Sequence, residues 1–188
     1  MNIYDFDGTI YNGDSSVDFF LYAVKHKPTV LRYLPKQIVG FVLYAIKKID
    51  KTKLKEYFFS FLRGIDAEAL SVAFWEQNKN KVFDWYIKQQ AEDDIIISAS
   101  PEFLLKPICN QLKICYLIAS KVEPTTGKFT GKNCRGAEKV NRLREELNVS
   151  RIDNFYSDSV SDLHLAQLAD NAFFIKHGKV MRWDYEQR

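Results

Sequence analysis

Short β-branched runs alternate with helical stretches in the second half of the chain, and this alternation limits the possible folds more than any other feature. Ile95-Ile96-Ile97 is a continuous run typical of a parallel strand buried on both faces. Further strands are predicted at 114–119, 152–156 and 172–175, with helices at 102–111, 137–147 and 162–169. With a short strand at 1–4, the pattern predicts an α/β fold with a Rossmann-like parallel sheet core and helices on both faces.

Residues 15–90 interrupt this alternation, because they show helical spacing and carry no strand signal. The first predicted helix has Ser15 or Ser16 as its N-cap. Further helices are predicted at 38–49, 52–62, 66–78 and 82–90. We therefore expect an all-helical cap at residues 14–90, inserted between strands one and two, and an α/β core formed by residues 1–13 and 91–188.

Two carboxylates, Asp5 and Asp7, directly follow the first predicted strand. Side chains two residues apart in an extended chain point the same way, so both can address one point in space. Crowded carboxylates repel each other unless a cation intervenes, and oxygen donors are the ligands that Mg²⁺ prefers. Asp-Gly is also a common turn signal, so this segment alone leaves a simple tight turn as the alternative.

More chemically active side chains follow later strands. Ser98 ends the isoleucine-rich strand, Lys139 lies in the first turn of a helix, and Asp158 and Asp162 follow the strand at 152–156. Because parallel sheets bind ligands at the carboxyl ends of their strands, we expect these groups to converge on the first acid pair. Each alone has an ordinary explanation as a cap, a turn residue or a solvated lysine. Together they form a set suited to phosphoryl transfer.

Composition excludes several classes of protein. The formal net charge of +3 is too small to indicate nucleic-acid binding. The three cysteines form neither a Cys-x-x-Cys pair nor a Cys/His cluster, which argues against a zinc site and a disulfide framework. The longest apolar run, 38–46, is too short to span a bilayer. Candidate site residues begin at position 5 and leave no room for a signal peptide, so we expect a cytoplasmic protein.

The ordered motifs resemble those of hydrolases of the haloacid dehalogenase (HAD) superfamily, and most closely the subfamily IB branch that includes phosphoserine phosphatase. The resemblance covers nearly all of the chain outside the predicted cap. The matching segments are Asp-Phe-Asp-Gly-Thr at 5–9, Ile-Ile-Ile-Ser-Ala-Ser-Pro at 95–101, Cys-Arg-Gly-Ala-Glu-Lys-Val at 134–140 and Tyr-Ser-Asp-Ser-Val-Ser-Asp at 156–162.

The resemblance implies Mg²⁺-dependent hydrolysis of a phosphomonoester through an aspartyl-phosphate. Asp5 is implied as the nucleophile. Asp7 is implied as the acid that protonates the leaving alcohol and then as the base that activates water. This second acid also favours a phosphate ester over a halide, since dehalogenases of the superfamily do not carry it.

The resemblance also implies a ligand set for the phosphate and the metal. The implied phosphate-binding residues are Thr9, Ser98, Ala99 and Lys139, of which Lys139 is also catalytic. The implied metal-binding residues are Asp5, Asp7 through its main-chain carbonyl, Asp158, and Asp162, which steadies the metal's water shell or Lys139.

A small phosphorylated metabolite such as phosphoserine is the implied substrate, although the chain departs from phosphoserine phosphatase at two places. That family has a glutamate nine positions after the nucleophile, where it senses the substrate amine, and this chain has Asp14. This chain also has Ala99-Ser100 where that family typically has a glycine pair.

The predicted cap is basic, which leaves other partners open. Nine basic residues and one acid lie between Lys25 and Lys55. Basic amphipathic segments bind anionic membranes, and residues 118–120, 134–140 and 156–159 are similar to C-type phosphatidylglycerophosphatases. A lipid-headgroup phosphatase with peripheral membrane contact is therefore one alternative, whereas an apolar stripe packed inside the cap is the simpler explanation of the pattern. A non-catalytic phosphate-binding protein is a further alternative, which the complete set of catalytic residues disfavours.

Overall fold

Six strands of a computed structural model, which describes residues 1–185, form one sheet. The strands are β1 (Asn2–Tyr4), β2 (Ile95–Pro101), β3 (Tyr116–Ser120), β4 (Ile152–Ser157), β5 (Ala169–Lys176) and β6 (Lys179–Arg182). Their order is β3-β2-β1-β4-β5-β6, and only the last pair is antiparallel. The order places the carboxyl end of β1 between those of β2 and β4, where open α/β sheets bind their ligands.

Within residues 1–185, five α-helices separate β1 from β2, and three more follow. The first group is α1 (Ser15–His26), α2 (Leu34–Ala45), α3 (Lys51–Phe58), α4 (Ala67–Asn78) and α5 (Asp84–Gln89). The second group is α6 (Glu102–Gln111), α7 (Ala137–Leu147) and α8 (Leu163–Ala166). The predicted α/β fold with a parallel sheet is confirmed. The division into core and cap between residues 13 and 14 and between 90 and 91 stays a prediction.

Predicted helix bounds agree best where the sequence has strong start signals. The helix predicted at 102–111 matches α6, whose N-cap is Pro101 in an extended conformation. Helix α2 begins earlier than predicted, at Leu34, because Pro35 fits the first helical turn, where its missing N–H has no partner to lose. The prediction of Ser15 or Ser16 as the N-cap of α1 is wrong. Asp14 is the cap, and its carboxylate accepts a hydrogen bond from the Val17 N–H at 3.0 Å.

The predicted hairpin or tail at 176–188 contains the turn from β5 to β6. Trp183 anchors it, since its ring is buried and meets Phe174 edge-on at 5.3 Å between centroids. Residues 186–188 of that prediction lie outside the described residues.

Aromatic side chains join the helical block to the sheet. Trp75 of α4 is fully buried, and its indole N–H donates to the Leu104 carbonyl of α6 at 2.6 Å. Tyr4 of β1 stacks on Tyr156 of β4 at 4.6 Å and meets Tyr86 of α5 edge-on at 5.0 Å. Helices α4 and α5 therefore share the core of the sheet. Among the described residues, α2 contributes no side chain to either buried apolar cluster.

No helix within residues 1–185 combines the length and the apolar content that crossing a membrane requires.

Helix α2 packs closely on α3 through Gly40, and this contact can be tested by mutation. A Cβ at Gly40 would lie 2.3 Å from the Cβ of Tyr57, which cannot rotate away. Gly40→Ala should therefore lower the free energy of unfolding by about 1–3 kcal/mol through overpacking, despite a helix-propensity gain of roughly 1 kcal/mol. Gly131→Ala is the control, since a Cβ there meets nothing within 4 Å. Equal stability of the two variants in chemical denaturation would contradict the close approach.

Candidate active site

A cavity of about 560 Å³ opens at the carboxyl ends of β1, β2 and β4. The predicted site residues that line it are Asp5, Asp7, Ser98, Ala99, Lys139, Asp158 and Asp162. Helices α1 and α3 supply further lining residues, including Val17 and Leu54. The strand order therefore brings together side chains that are more than 150 positions apart in the sequence.

Asp5 is held in one orientation at the end of β1. Its Oδ1 accepts the Phe6 main-chain N–H at 2.8 Å and lies 3.1 Å from Lys139 Nζ. Burial raises the pKa of Asp5 to about 8, although the positive charge of Lys139 opposes this shift. The carboxylate is thus positioned for reaction, and a further cation would be needed to keep it fully ionised near neutral pH.

Asp7 is held by two donors from different segments. The Ser15 main-chain N–H donates to its Oδ1 at 2.7 Å, and the Ser100 hydroxyl donates to its Oδ2. Burial raises the pKa of Asp7 to about 6, with a contribution from Asp14, whereas the hydrogen bonds lower it. A carboxyl group in this range can both give and take a proton near neutral pH, as a general acid and base must.

Lys139 lies in the first turn of α7 with only 1% of its side chain exposed. Its Nζ donates to Asp162 Oδ2 at 2.7 Å, and the Ser157 hydroxyl donates to the same oxygen at 2.8 Å. Burial favours the neutral amine, but the attraction of Asp5 and Asp162 outweighs it and raises the pKa of Lys139. The lysine is therefore a permanent buried cation at the floor of the cavity.

Thr9 lies behind the cavity wall rather than in it. It is fully buried, and its hydroxyl accepts the Asp158 main-chain N–H at 2.9 Å. Phosphate binding by Thr9 stays a prediction, and in this structure its hydroxyl positions the segment that carries Asp158. Gly8, with φ of +69°, leaves room for that carboxylate, since a Cβ there would lie 2.0 Å from Asp158 Oδ2.

The donor groups of the cavity fit a hard cation. Within residues 1–185, no three His, Cys, Asp or Glu side chains form a group that could hold a metal alone. A metal would therefore use main-chain and water oxygens beside Asp5 and Asp158, and an all-oxygen donor set suits Mg²⁺. Burial also raises the pKa of Asp158, so a cation beside this carboxylate would favour its ionised form. The buried Oδ1 of Asp162 accepts no hydrogen bond in the described part of the chain and could bind a metal-bound water.

Three basic side chains on the rim were not among the predicted site residues: Lys51, Lys55 and Arg135. Lys55 Nζ donates to the Ala99 carbonyl at 2.8 Å, and burial lowers the pKa of Lys55 to about 8. Lys51 and Lys55 are one turn apart on α3, so their spacing places them on one face. That spacing was the available signal, but the sequence does not specify that this face covers the cavity.

Comparisons with known proteins agree with the fold. Protein CicA of Caulobacter vibrioides is 28% identical over 186 residues, which cover 89% of this chain and 82% of that protein. The structure of a protein of unknown function from Bordetella pertussis Tohama I has a TM-score of 0.72 at 20% identity, covering 92% of this chain and 87% of that one. A probable phosphoserine phosphatase from Vibrio cholerae has a TM-score of 0.65 at 13% identity, covering 91% of this chain and 55% of that one.

The two structural likenesses show a shared fold. A family model described as haloacid dehalogenase-like hydrolase matches residues 3–167, which is most of the chain. The protein therefore belongs to the haloacid dehalogenase-like hydrolase family, as its sequence motifs predict.

Proposed function

We propose that the protein is a Mg²⁺-dependent phosphomonoester hydrolase that acts through an aspartyl-phosphate. One observation carries this proposal. A carboxylate fixed against a buried lysine, Asp5, shares one cavity with a second carboxyl group, Asp7, that can exchange a proton near neutral pH. Family membership supports hydrolysis, and the proton-exchanging acid supports a leaving group that must be protonated.

The reaction has two steps. In the first, Asp5 attacks phosphorus while the bond to the leaving oxygen breaks, and Asp7 gives its proton to that oxygen. In the second, Asp7 takes a proton from water as the water oxygen attacks phosphorus and releases Asp5. The Ser15 N–H and the Ser100 hydroxyl hold Asp7 in place during both transfers.

The phosphoryl group would be held by the Ser98 hydroxyl, the Ala99 main-chain N–H and Lys139. The residues that would hold Mg²⁺ are Asp5, Asp158 and the main-chain carbonyl of Asp7, with Asp162 near its water shell. When bound, Mg²⁺ supplies positive charge that offsets the charge of the phosphoryl oxygens and the nucleophile. Lys139 adds a second positive charge, which is present whether or not the metal is bound.

The substrate we propose is a small phosphorylated metabolite with a second anionic group. The rim cations Lys51, Lys55 and Arg135 would attract that group at the mouth of the cavity. Phosphoserine has this chemistry, and its amine could face Asp14, which also lines the cavity.

A lipid-headgroup phosphate is the second candidate substrate. The observation that favours it is an apolar portion of the cavity wall, formed by Phe41, Leu54 and Phe58. Measuring phosphate release from a panel that contains phosphoserine, other small phosphomonoesters and lipid phosphates would separate the two candidates.

Removing the nucleophile tests the chemistry directly. Asp5→Asn should lower phosphate release from p-nitrophenyl phosphate about 1,000-fold or more, because an amide cannot form the aspartyl-phosphate. Asp93→Asn is the control, since that side chain is 64% exposed, and it should keep full activity. Near-normal turnover in Asp5→Asn would contradict the proposed nucleophile. Failure of the wild-type protein to release phosphate from any ester with Mg²⁺ would favour the non-catalytic alternative.

Magnesium binding should strengthen as pH rises. Because the pKa of Asp5 is raised to about 8 and that of Asp7 to about 6, the metal-free folded state holds protons that the unfolded state releases. Metal-free stability should therefore fall as pH rises through these values, whereas Mg²⁺ must displace the protons to bind. The rise in Tm caused by Mg²⁺ should grow from about pH 5 to about pH 8. Thermal unfolding with and without Mg²⁺ measures this, and Asp158→Asn should lose most of the rise. An equal rise at both pH values would contradict the assignment.

Loss of the buried cation should destabilise the fold. Lys139→Met leaves Asp5 and Asp162 without their partner and should lower the free energy of unfolding by about 3–5 kcal/mol near pH 8. The loss should be smaller near pH 5, because Asp5, whose pKa is raised to about 8, is protonated there and no longer needs the cation. Lys132→Met is the control, since its side chain is 78% exposed, and its effect should stay within about 0.5 kcal/mol. A loss independent of pH would show that the lysine contributes by packing alone.

A further inference from the structure

Helix α2 exposes its apolar side chains, whereas surface helices usually bury them. Its buried residues are Gln37 and Gly40. Its exposed apolar residues, which we call the outer face of α2, are Leu34 (41% exposed), Ile38 (53%), Val39 (50%), Phe41 (53%) and Val42 (53%). At 3.6 residues per turn these positions share an arc of about 160°, and the sequence has no charged residue within it.

Specific contacts fix this orientation. The Gln37 side chain donates to the Phe58 carbonyl at 2.7 Å, so a polar group is satisfied on the inner side. Gly40 allows the close approach of Tyr57, which a side chain on that side would prevent. Rotating α2 to bury its apolar residues would break both contacts. An exposed apolar patch held outward in this way marks an interaction surface.

The surroundings of the outer face indicate the partner. Exposed basic residues flank it, namely Arg32, Lys36, Lys47 and Lys48, and the only acid between Lys25 and Lys55 is Asp50. A helix with an apolar face and basic flanks matches the chemistry of an anionic lipid surface. A second copy of the chain fits less well, because a twofold interface would bring the same lysines of both copies together.

We propose that the outer face of α2 docks on an anionic lipid bilayer. The helix lies in the plane of the interface, with its apolar side chains among the upper acyl chains and the flanking lysines at the headgroups. Phe41 belongs both to this face and to the lining of the catalytic cavity. Docking therefore places the mouth of the cavity beside the bilayer. The docking surface does not depend on the phosphatase chemistry, since it involves none of the acids of the site.

Vesicle sedimentation tests the surface with the full chain. The protein should sediment with phosphatidylcholine vesicles that contain phosphatidylglycerol, and only weakly with phosphatidylcholine alone. Ile38→Glu/Val42→Glu should weaken binding about 100-fold or more, because both changes put charge into the apolar face. Val72→Glu/Ile87→Glu is the matched control, with side chains 47% and 46% exposed on α4 and α5, and it should bind like the wild type.

Charge reversal tests the flanks separately. Lys47→Glu/Lys48→Glu should weaken binding to the anionic vesicles about tenfold or more, and added salt should do the same. Lys88→Glu/Lys106→Glu, at exposed positions away from α2, is the control and should have a much smaller effect. Circular dichroism and Tm confirm that each variant is folded. Asp5→Asn should bind vesicles like the wild type. The docking proposal can therefore be tested even if the catalytic proposal fails.

Three results would overturn the proposal. The first is no sedimentation with anionic vesicles at low salt. The second is equal binding by Ile38→Glu/Val42→Glu and its control. The third is a dimer in analytical ultracentrifugation that Ile38→Glu/Val42→Glu converts to a monomer, without any vesicle binding, which would assign the face to a second copy.

Discussion

The buried contact of Lys139 with Asp5 and Asp162 is the interaction on which the site depends. It joins the first turn of α7 to the end of β1 and to the segment after β4. A buried ammonium group is costly unless good geometry and hydrogen bonds compensate it, and here two carboxylates do so, one of which, Asp162, also accepts the Ser157 hydroxyl. The contact requires β4 beside β1, so the strand order is a precondition of the chemistry as well as of the fold.

The helical block divides into parts with different energetics. Helices α4 and α5 are bound to the sheet by buried aromatic contacts such as those of Trp75 and Tyr86, whereas α2 shares no buried apolar cluster within residues 1–185. The attachment of helix α3 is intermediate, since Lys55 connects it to the Ala99 carbonyl across the cavity. Any opening of the cavity at the α2–α3 side would break this polar contact and also the ring contacts of Phe58 with Phe20 and Phe61. Helix α2, whose Phe41 lines the cavity, is therefore the helix of the block most weakly attached to the apolar core.

Sequence patterns predicted the sheet and the converging acids because these depend on local signals. A β-branched run such as 95–97 specifies a buried strand, and parallel pairing then fixes where residues such as Ser98 must lie. The position of Thr9 was harder to predict. No local sequence signal shows that its hydroxyl accepts the Asp158 main-chain N–H behind the cavity wall. Lys55 was missed for a related reason. Its spacing from Lys51 indicates a shared face, but which element that face covers is a property of tertiary packing.

Helix α2 shows most clearly why periodicity has limits. A hydrophobic stripe indicates that a helix has two different faces, and burial of the apolar one is the usual outcome. Here the polar side of the helix is the buried one, because Gln37 forms a buried hydrogen bond there and Gly40 permits contact with Tyr57. The apolar face is left for a partner outside the chain. Since Phe41 extends that face into the cavity wall, a partner that covers α2 would also shape access to Asp5, and docking would then be coupled to binding of the proposed substrate.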